Sequence, residues 1–302
     1  MTTNHEATAP LELINKTLTA FIAEKYADAP LGDATSYVLS GPGKKVRGQL
    51  VLLSAESLGG SLHDALPAAI AIEMVHAYSL VHDDLPCIDN DDMRRGRPTA
   101  HVKYGEDMAV LLGDGLLTDA FSVVSDKKFS KTLEPAFLSD TQRLQMVREL
   151  ALAGGNFGMV AGQVLDVKGS ARHRGNKVSS LADVEKIHLL KSGALMGAAC
   201  SMGSISAGAS ESEAEVFRRF GETLGLVFQI MDDLLDNQDG TGKTKGKDKN
   251  DGKFSYATLM SEGEALAHAQ KLTDAAVAQL LPLVKSDCQL LTYARLLLDR
   301  KK

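Results

Sequence analysis

From Ala68 to Val81 the chain is apolar at almost every position, and directly beyond that run stand Asp83 and Asp84. An amphipathic surface helix would show one polar face, so the run predicts a helix buried on all sides. Its C-terminal end carries two carboxylates, where the macrodipole already presents negative potential and a cation would be the stabilising choice. Asp89, Asp91 and Asp92 follow immediately. Carboxylates this crowded repel one another or take up protons unless a cation sits among them. A hard divalent ion resolves the conflict, and magnesium, which takes a few carboxylates with waters and phosphate oxygens, suits an open acidic rim better than calcium. Arg94, Arg95 and Arg97 are superfluous as counter-ions for these aspartates, but they suit an anion bridged to the metal. A single acidic run is as readily a solvated loop, so the rest of the chain has to decide.

The chain is long enough for a sizeable core: 302 residues, 44% hydrophobic and 24% charged, which is the composition of an ordinary globular protein with room for one large domain or two. Eight prolines, no tryptophan and long Ala/Leu-rich segments predict an all-α fold. A net charge of −6 argues against nucleic acid as a partner but allows an anionic substrate delivered with metal ions. Cys87, Cys200 and Cys288 are too few and too scattered for a disulfide framework or a zinc site, which fits a reducing compartment. The first ten residues lack a basic segment followed by an apolar core, and no run reaches the roughly 20 uninterrupted apolar residues of a membrane span. A cytoplasmic protein without a membrane span is expected.

Helical spacing predicts an outer helix over Leu11–Ala27. The turn Gly41-Pro42-Gly43 then leads to Lys44-Lys45-Val46-Arg47 at the start of a second helix. Exposed N–H groups and the positive dipole end favour anions there, and Lys44 and Arg47, at i,i+3 on one helical face, complete a phosphate cradle. Pro67 is expected to begin the buried helix, in which His76 shares a stripe with Asp83. A loop followed by a helix is expected over His101–Asp126, and a helix over Thr141–Ala153. In Gly162-Gln163-Val164-Leu165-Asp166, Gln163 and Asp166 at i,i+3 can face one pocket. Lys168–Ser180 reads as an exposed loop, with Ser179 or Ser180 capping a helix near Leu181. That helix carries Lys191 and Ser192 among apolar and small residues, and a lysine buried there needs an anion.

Glu222–Asp236 repeats the opening design: an apolar helix ends in Asp232, Asp233 and Asp236, with Gln229 one turn earlier on the side shared by Asp232 and Asp236. Two such clusters predict metals shared across a central cavity. The stretch Gly240–Lys253, rich in Gly and Lys, follows a helix and lacks the first glycine of a nucleotide-type phosphate loop. It reads as a cationic flap over bound phosphates. Helices near Ala265–Leu281 and Leu290–Leu298 complete the chain.

These motifs together resemble the trans-prenyl diphosphate synthases, nearest to the farnesyl diphosphate synthases of bacterial type. The resemblance runs from about Gly41 to Thr258 and rests on an ordered set: GKKVR at 43–47, DDLPCID at 83–89, GQVLD at 162–166, KSGAL at 191–195, FQIMDDLLD at 228–236 and the lysine-rich stretch. It implies one all-helical domain over 1–302, with a substrate cavity between buried helices, acting as a homodimer. It also implies magnesium ions held by Asp83, Asp84 and Asp89 facing Asp232, Asp233 and Asp236 on the diphosphate of an allylic substrate. Lys44, Arg47, His76 and Arg95 would bind isopentenyl diphosphate. Arg94, Lys191, Lys243 and Lys253 would serve the allylic diphosphate, and the oxygens of Ser192 and Gln229 would stabilise a carbocation.

The implied reaction is ionisation of the allylic diphosphate, attack by the isopentenyl double bond, and proton loss to the released diphosphate. Tyr78, with Ser79 beside it, would form the floor of the tunnel that holds the growing chain. Tyr78 and the two-residue insertion Pro86-Cys87 imply a farnesyl product, with geranylgeranyl synthesis the nearest rival. Two positions depart from the family pattern: Ser192 stands where threonine is common, and Gly48-Gln49 follows Arg47 where proline is common. A terpene cyclase would lack the GKKVR cradle, and a non-catalytic partner subunit would have degraded aspartate motifs.

Overall fold

The hydroxyl of Ser61 accepts a hydrogen bond from the Asp64 N–H at 3.4 Å and so opens the long helix α4, Leu62–Asp83. The helix therefore starts five residues before Pro67, the expected start. A proline inside a helix forfeits one backbone donor, while its fixed φ suits the helix, so a well-formed cap upstream sets the boundary. The structure, a computed structural model, describes residues 9–135, 137–169, 178, 180–236 and 255–298, with the side chain of Asp236 excluded. The chain divides into two compact units, Met1–Leu150 with Met202–Ser210, and Ala151–Ser201 with Glu211–Lys302.

In the first unit α1 (Ala9–Lys25), α2 (Gly32–Leu39) and α3 (Val46–Ser57) precede α4. After it come a short antiparallel hairpin, β1 (Met93–Arg94) and β2 (Arg97–Pro98), then α5 (Ala100–Tyr104) and α6 (Glu106–Ser125). Helix α7 (Asp140–Gly154) follows. Helix α4 packs along α6 and α3, and Ala68 to Met74 are all buried, as the largely apolar run predicts. Burying Ile70, Ile72 or Met74 contributes about 1.5–3 kcal/mol per side chain.

The hairpin is the departure from an all-helical reading. Arg95 and Gly96 both take positive φ, 52° and 75°, the combination a two-residue primed turn demands. By length and composition, Leu62–Asp83, Glu106–Ser125 and the run Asp140–Gly169 are long and apolar enough to cross a membrane, although no uninterrupted apolar run was evident in the sequence. In Leu62–Asp83, 78% of the apolar window is buried inside the protein.

The second unit contains α8 (Met159–Gly169) and α9 (Leu181–His188), then one π-helical turn (Leu189–Gly193) that runs into α10 (Ala194–Ser206). Helices α11 (Glu211–Asp236), α12 (Tyr256–Leu259), α13 (Glu262–Leu280) and α14 (Gln289–Leu296) follow. Ser180 caps α9 through a reciprocal pair with Asp183, as the sequence expects. Ser261 and Glu264 do the same for α13. The core joins Val184 to Val227, Ile230 and Met231 of α11, with Tyr256 and Ala265.

In the first unit Glu24 accepts from the Lys131 and Thr132 N–H groups and from the Ser130 hydroxyl, at 2.8 to 3.0 Å. Slight desolvation opposes these bonds, but they hold its pKa at about 2, against an ordinary 4.5. The stability they add is complete above pH ~4.5 and is lost as pH falls towards 2. Acid titration of the fold should show Glu24→Gln with a shallower loss than the parent in that window.

Candidate active site

The basic turn and α4 are joined through Glu73. This carboxylate, 5% exposed in the middle of the apolar stretch of α4, accepts the Gly48 N–H at 2.9 Å. Gly48 lies in the first turn of α3, whose N–H groups have no partner within their own helix. A carboxylate from α4 thus caps α3. The approach is close, since a Cβ on Gly48 would lie 3.0 Å from Ile14 Cδ1 and 3.2 Å from Glu73 Cγ.

Lys45, not Lys44, stands at the N-cap, in the left-handed region (φ 43°), and its Nζ donates to the Leu39 carbonyl at 2.9 Å. Lys44 therefore precedes the helix, and the i,i+3 face expected for Lys44 and Arg47 does not form. The left-handed residue between them turns the chain. Desolvation lowers the Lys45 pKa and Arg95 lowers it further, while Glu73 opposes them.

Beyond α4 the chain folds back on the helix end. The Asp89 N–H donates to the Asp83 carbonyl at 2.9 Å, and the Asp91 N–H to the Asp84 carbonyl at 3.2 Å. These bonds gather the first aspartates into one turn. Asp84, 3% exposed, takes the Arg94 guanidinium: Nε lies 2.9 Å from both carboxylate oxygens and Nη2 2.6 Å from Oδ1. Burial raises the Asp84 pKa, with Asp91 and Asp89 adding to the rise and Arg94 opposing it. For Arg94, desolvation acts downwards, yet the bond to Asp84 raises its pKa above the ordinary value.

Arg95, at the hairpin tip, donates Nη1 to the Pro42 carbonyl at 2.8 Å and lies so close to Gly43 that a Cβ there would be 2.3 Å from Nη1. The hairpin thus reaches back to the basic turn. The His76 pKa is well below 6.5, first by desolvation and then through Arg47, Arg95, Arg94 and Lys45. Its imidazole is therefore neutral near pH 7, within reach of the field of four cations. Arg97 instead stacks on Tyr37, 3.8 Å from the ring centre.

In the second unit Lys191 meets the anion its position calls for: Nζ lies 2.7 Å from Asp166 Oδ2. The Ser192 hydroxyl donates to the Gln229 side-chain oxygen. Lys191 and Ser192 both lie on the π-helical turn, a local distortion often found at functional sites. Glycines make its packing possible: a Cβ on Gly162 would be 2.2 Å from the Lys191 nitrogen, and one on Gly225 2.5 Å from the Gly193 Cα. Gln163 does not share the ion pair of Asp166; both polar atoms of its amide are buried without a partner among the described residues. Asp233 accepts the Tyr256 N–H at 2.9 Å. Asp232 is half-buried beside it on α11, and Asp236 ends that helix. Lys243 and Lys253 lie outside the described residues. Among the described residues no group of three or more His, Cys, Asp or Glu side chains is placed to hold a metal ion.

The roles of Glu73 and Lys45 were not read from the sequence, although one clue was present: an acid inside an apolar helix must have a buried partner. No sequence signal marks the pairing of Asp233 with Tyr256, which are brought together by the fold.

A model of polyprenyl synthetases matches residues 28–280. The chain belongs to the polyprenyl synthetase family. It is a short-chain trans-prenyltransferase of the all-α isoprenoid synthase fold. The synthetase is 39% identical over 291 residues to the farnesyl diphosphate synthase of Micrococcus luteus, covering 94% of each chain. It is 41% identical over 273 residues to the large subunit 1 of a heterodimeric chloroplastic geranylgeranyl pyrophosphate synthase of Arabidopsis thaliana, covering 89% of this chain and 71% of that one. The crystal structure of an FPP/GFPP synthase from Zymomonas mobilis superposes with a TM-score of 0.81 at 31% identity, covering 97% of this chain and 98% of that one.

Substitutions at two positions of the synthetase test the contacts of the first unit. Glu73→Ala leaves the buried Gly48 N–H without its acceptor and should cost roughly 1–3 kcal/mol in chemical denaturation, with Glu73→Gln recovering most of the loss. Arg94→Ala strands Asp84 and should cost a similar ~1–3 kcal/mol, only partly restored by Arg94→Lys because lysine cannot form the two-pronged contact.

Proposed function

We propose that the synthetase condenses isopentenyl diphosphate with dimethylallyl and then geranyl diphosphate, ending at farnesyl diphosphate. The observation that carries this reading is Tyr78. It is 7% exposed and lies five residues before Asp83, about 7.5 Å down the axis of α4. A ring at that depth leaves room for a short chain. Ser79 adds no bulk, since its hydroxyl turns back onto the His76 carbonyl at 2.9 Å.

Within this reading Lys44, Arg47, Arg95 and neutral His76 take the isopentenyl diphosphate, His76 as a hydrogen-bond donor rather than a charge. Arg94, Lys191, Lys243 and Lys253 serve the allylic diphosphate. The carboxylates of Asp83, Asp84, Asp89 and of Asp232, Asp233, Asp236 are hard oxygen donors of the kind magnesium accepts when it keeps waters and phosphate oxygens, with Asp84 held by Arg94 in the structure. Bound magnesium would supply charge neutralisation of the leaving diphosphate. The Ser192 and Gln229 oxygens offer lone pairs to an allylic cation. A homodimeric, cytoplasmic enzyme is part of the same proposal.

Geranylgeranyl diphosphate is the competing product, because relatives named geranylgeranyl pyrophosphate synthases are 41% and 43% identical to the chain. Purified protein, incubated with magnesium, isopentenyl diphosphate and each allylic diphosphate in turn, should give farnesol as the longest dephosphorylated product. Chelation of the metal should abolish turnover. Geranylgeraniol would keep the reaction and overturn Tyr78 as floor, whereas no elongation with any primer would overturn the proposal.

A further inference from the structure

Tyr78 does not hold its position alone. Its ring meets the imidazole of His82 edge to face, with centroids 5.8 Å apart and planes at 80°. His82 is one turn further along α4 and is itself fixed against α6: Nε2 lies 3.1 Å from the Val110 carbonyl. A carbonyl can only accept, so Nε2 carries the proton and the tautomer is set. The imidazole also fills the space in which position 113 of α6 would carry a side chain. A Cβ on Gly113 would lie 2.0 Å from His82 Nε2, 2.4 Å from Cδ2 and 2.7 Å from Cε1.

We infer that His82 and Gly113 are specificity-determining residues of this synthetase, acting through Tyr78 by locking its ring at the depth that limits product length. The inference rests on the reading of Tyr78 as the tunnel floor. Gly113 has a negative φ, so its backbone needs no glycine. What position 113 requires is the absence of a Cβ, because the imidazole lies flush on the backbone of α6. The bond to Val110 fixes the ring's orientation, and the edge-to-face contact passes that orientation to Tyr78. An edge-to-face aromatic contact is a preferred geometry worth about 0.5–1.5 kcal/mol, so moving the imidazole removes that restraint on the Tyr78 ring. His82 and Gly113 are positioning residues, and neither is assigned any contact with substrate.

The test measures the ratio of geranylgeranyl to farnesyl product, together with total turnover and melting temperature, for His82→Ala, Gly113→Ala and Tyr78→Ala. His82→Ala and Gly113→Ala should each raise the ratio on the order of tenfold, the scale on which losing an aromatic contact changes the partition between release and a further condensation. A merely structural role would lower turnover and melting temperature and leave the ratio unchanged. If Gly113→Ala does not fold, the double variant His82→Ala with Gly113→Ala should fold, since the new methyl occupies space the imidazole has left, and its product should still be long.

A longer product from Tyr78→Ala with unchanged ratios in the His82 and Gly113 variants would overturn the lock and leave the floor standing. An unchanged product from Tyr78→Ala would overturn the floor and the lock with it.

Discussion

The contact between Glu73 and the Gly48 N–H is the joint on which the first unit's site depends. Helix α4 carries His76, Tyr78 and Asp83 and is capped by Asp84, while the start of α3 carries Arg47 and is preceded by Lys44. Without a link, a basic helix end and a helix ending in acids would be independent surfaces. A buried carboxylate at the first turn of α3 satisfies an N–H that no residue of α3 can reach and fixes the basic turn relative to α4. The hairpin completes the arrangement from the other side: Arg94 neutralises Asp84 while Arg95 ties the hairpin tip to Pro42. Each contact serves electrostatics and position together.

The second unit reaches a comparable order by different means. There the backbone is brought close by glycine, with Gly162 against Lys191 and Gly225 against Gly193, and the π-helical turn holds Lys191 and Ser192. Lys191 is paired with Asp166, and Ser192 is oriented by Gln229. The cost of burying a lysine is offset within the protein before any substrate arrives. His188, next to this turn, has its pKa pushed down to about 4 by burial and by Lys191, against the pull of Asp166, so it stays neutral beneath the ion pair.

Much of this was legible in the chain. The largely apolar stretch of α4 reads as a buried helix, and crowded acids at its end demanded cations. The cap at Ser180 followed from residue type and spacing. What could not be read was pairing at long separation. Spacing suggested that Lys44 and Arg47 share a helical face, but a left-handed Lys45, held by its bond to Leu39, separates them. Spacing also grouped Gln163 with Asp166, whereas Lys191 takes only the carboxylate. The start of α4 differs from the expected one because a proline is a conspicuous signal and a serine cap six residues earlier a quiet one.

The sequence by itself determined an all-α fold with a site for metal and diphosphate, because local patterns carry them: helical periodicity, acids at the ends of apolar helices, and cations at a helix start. The prenyltransferase class came with the resemblance of the ordered motifs to a known family. Only the tertiary structure decided which cation meets which anion, which carboxylate caps α3, and how His82 comes to lie between Tyr78 and Gly113. The physical reason is range. Periodicity and capping act over a few residues and are written in adjacent letters, whereas a contact between helices depends on packing that brings together residues far apart in the chain.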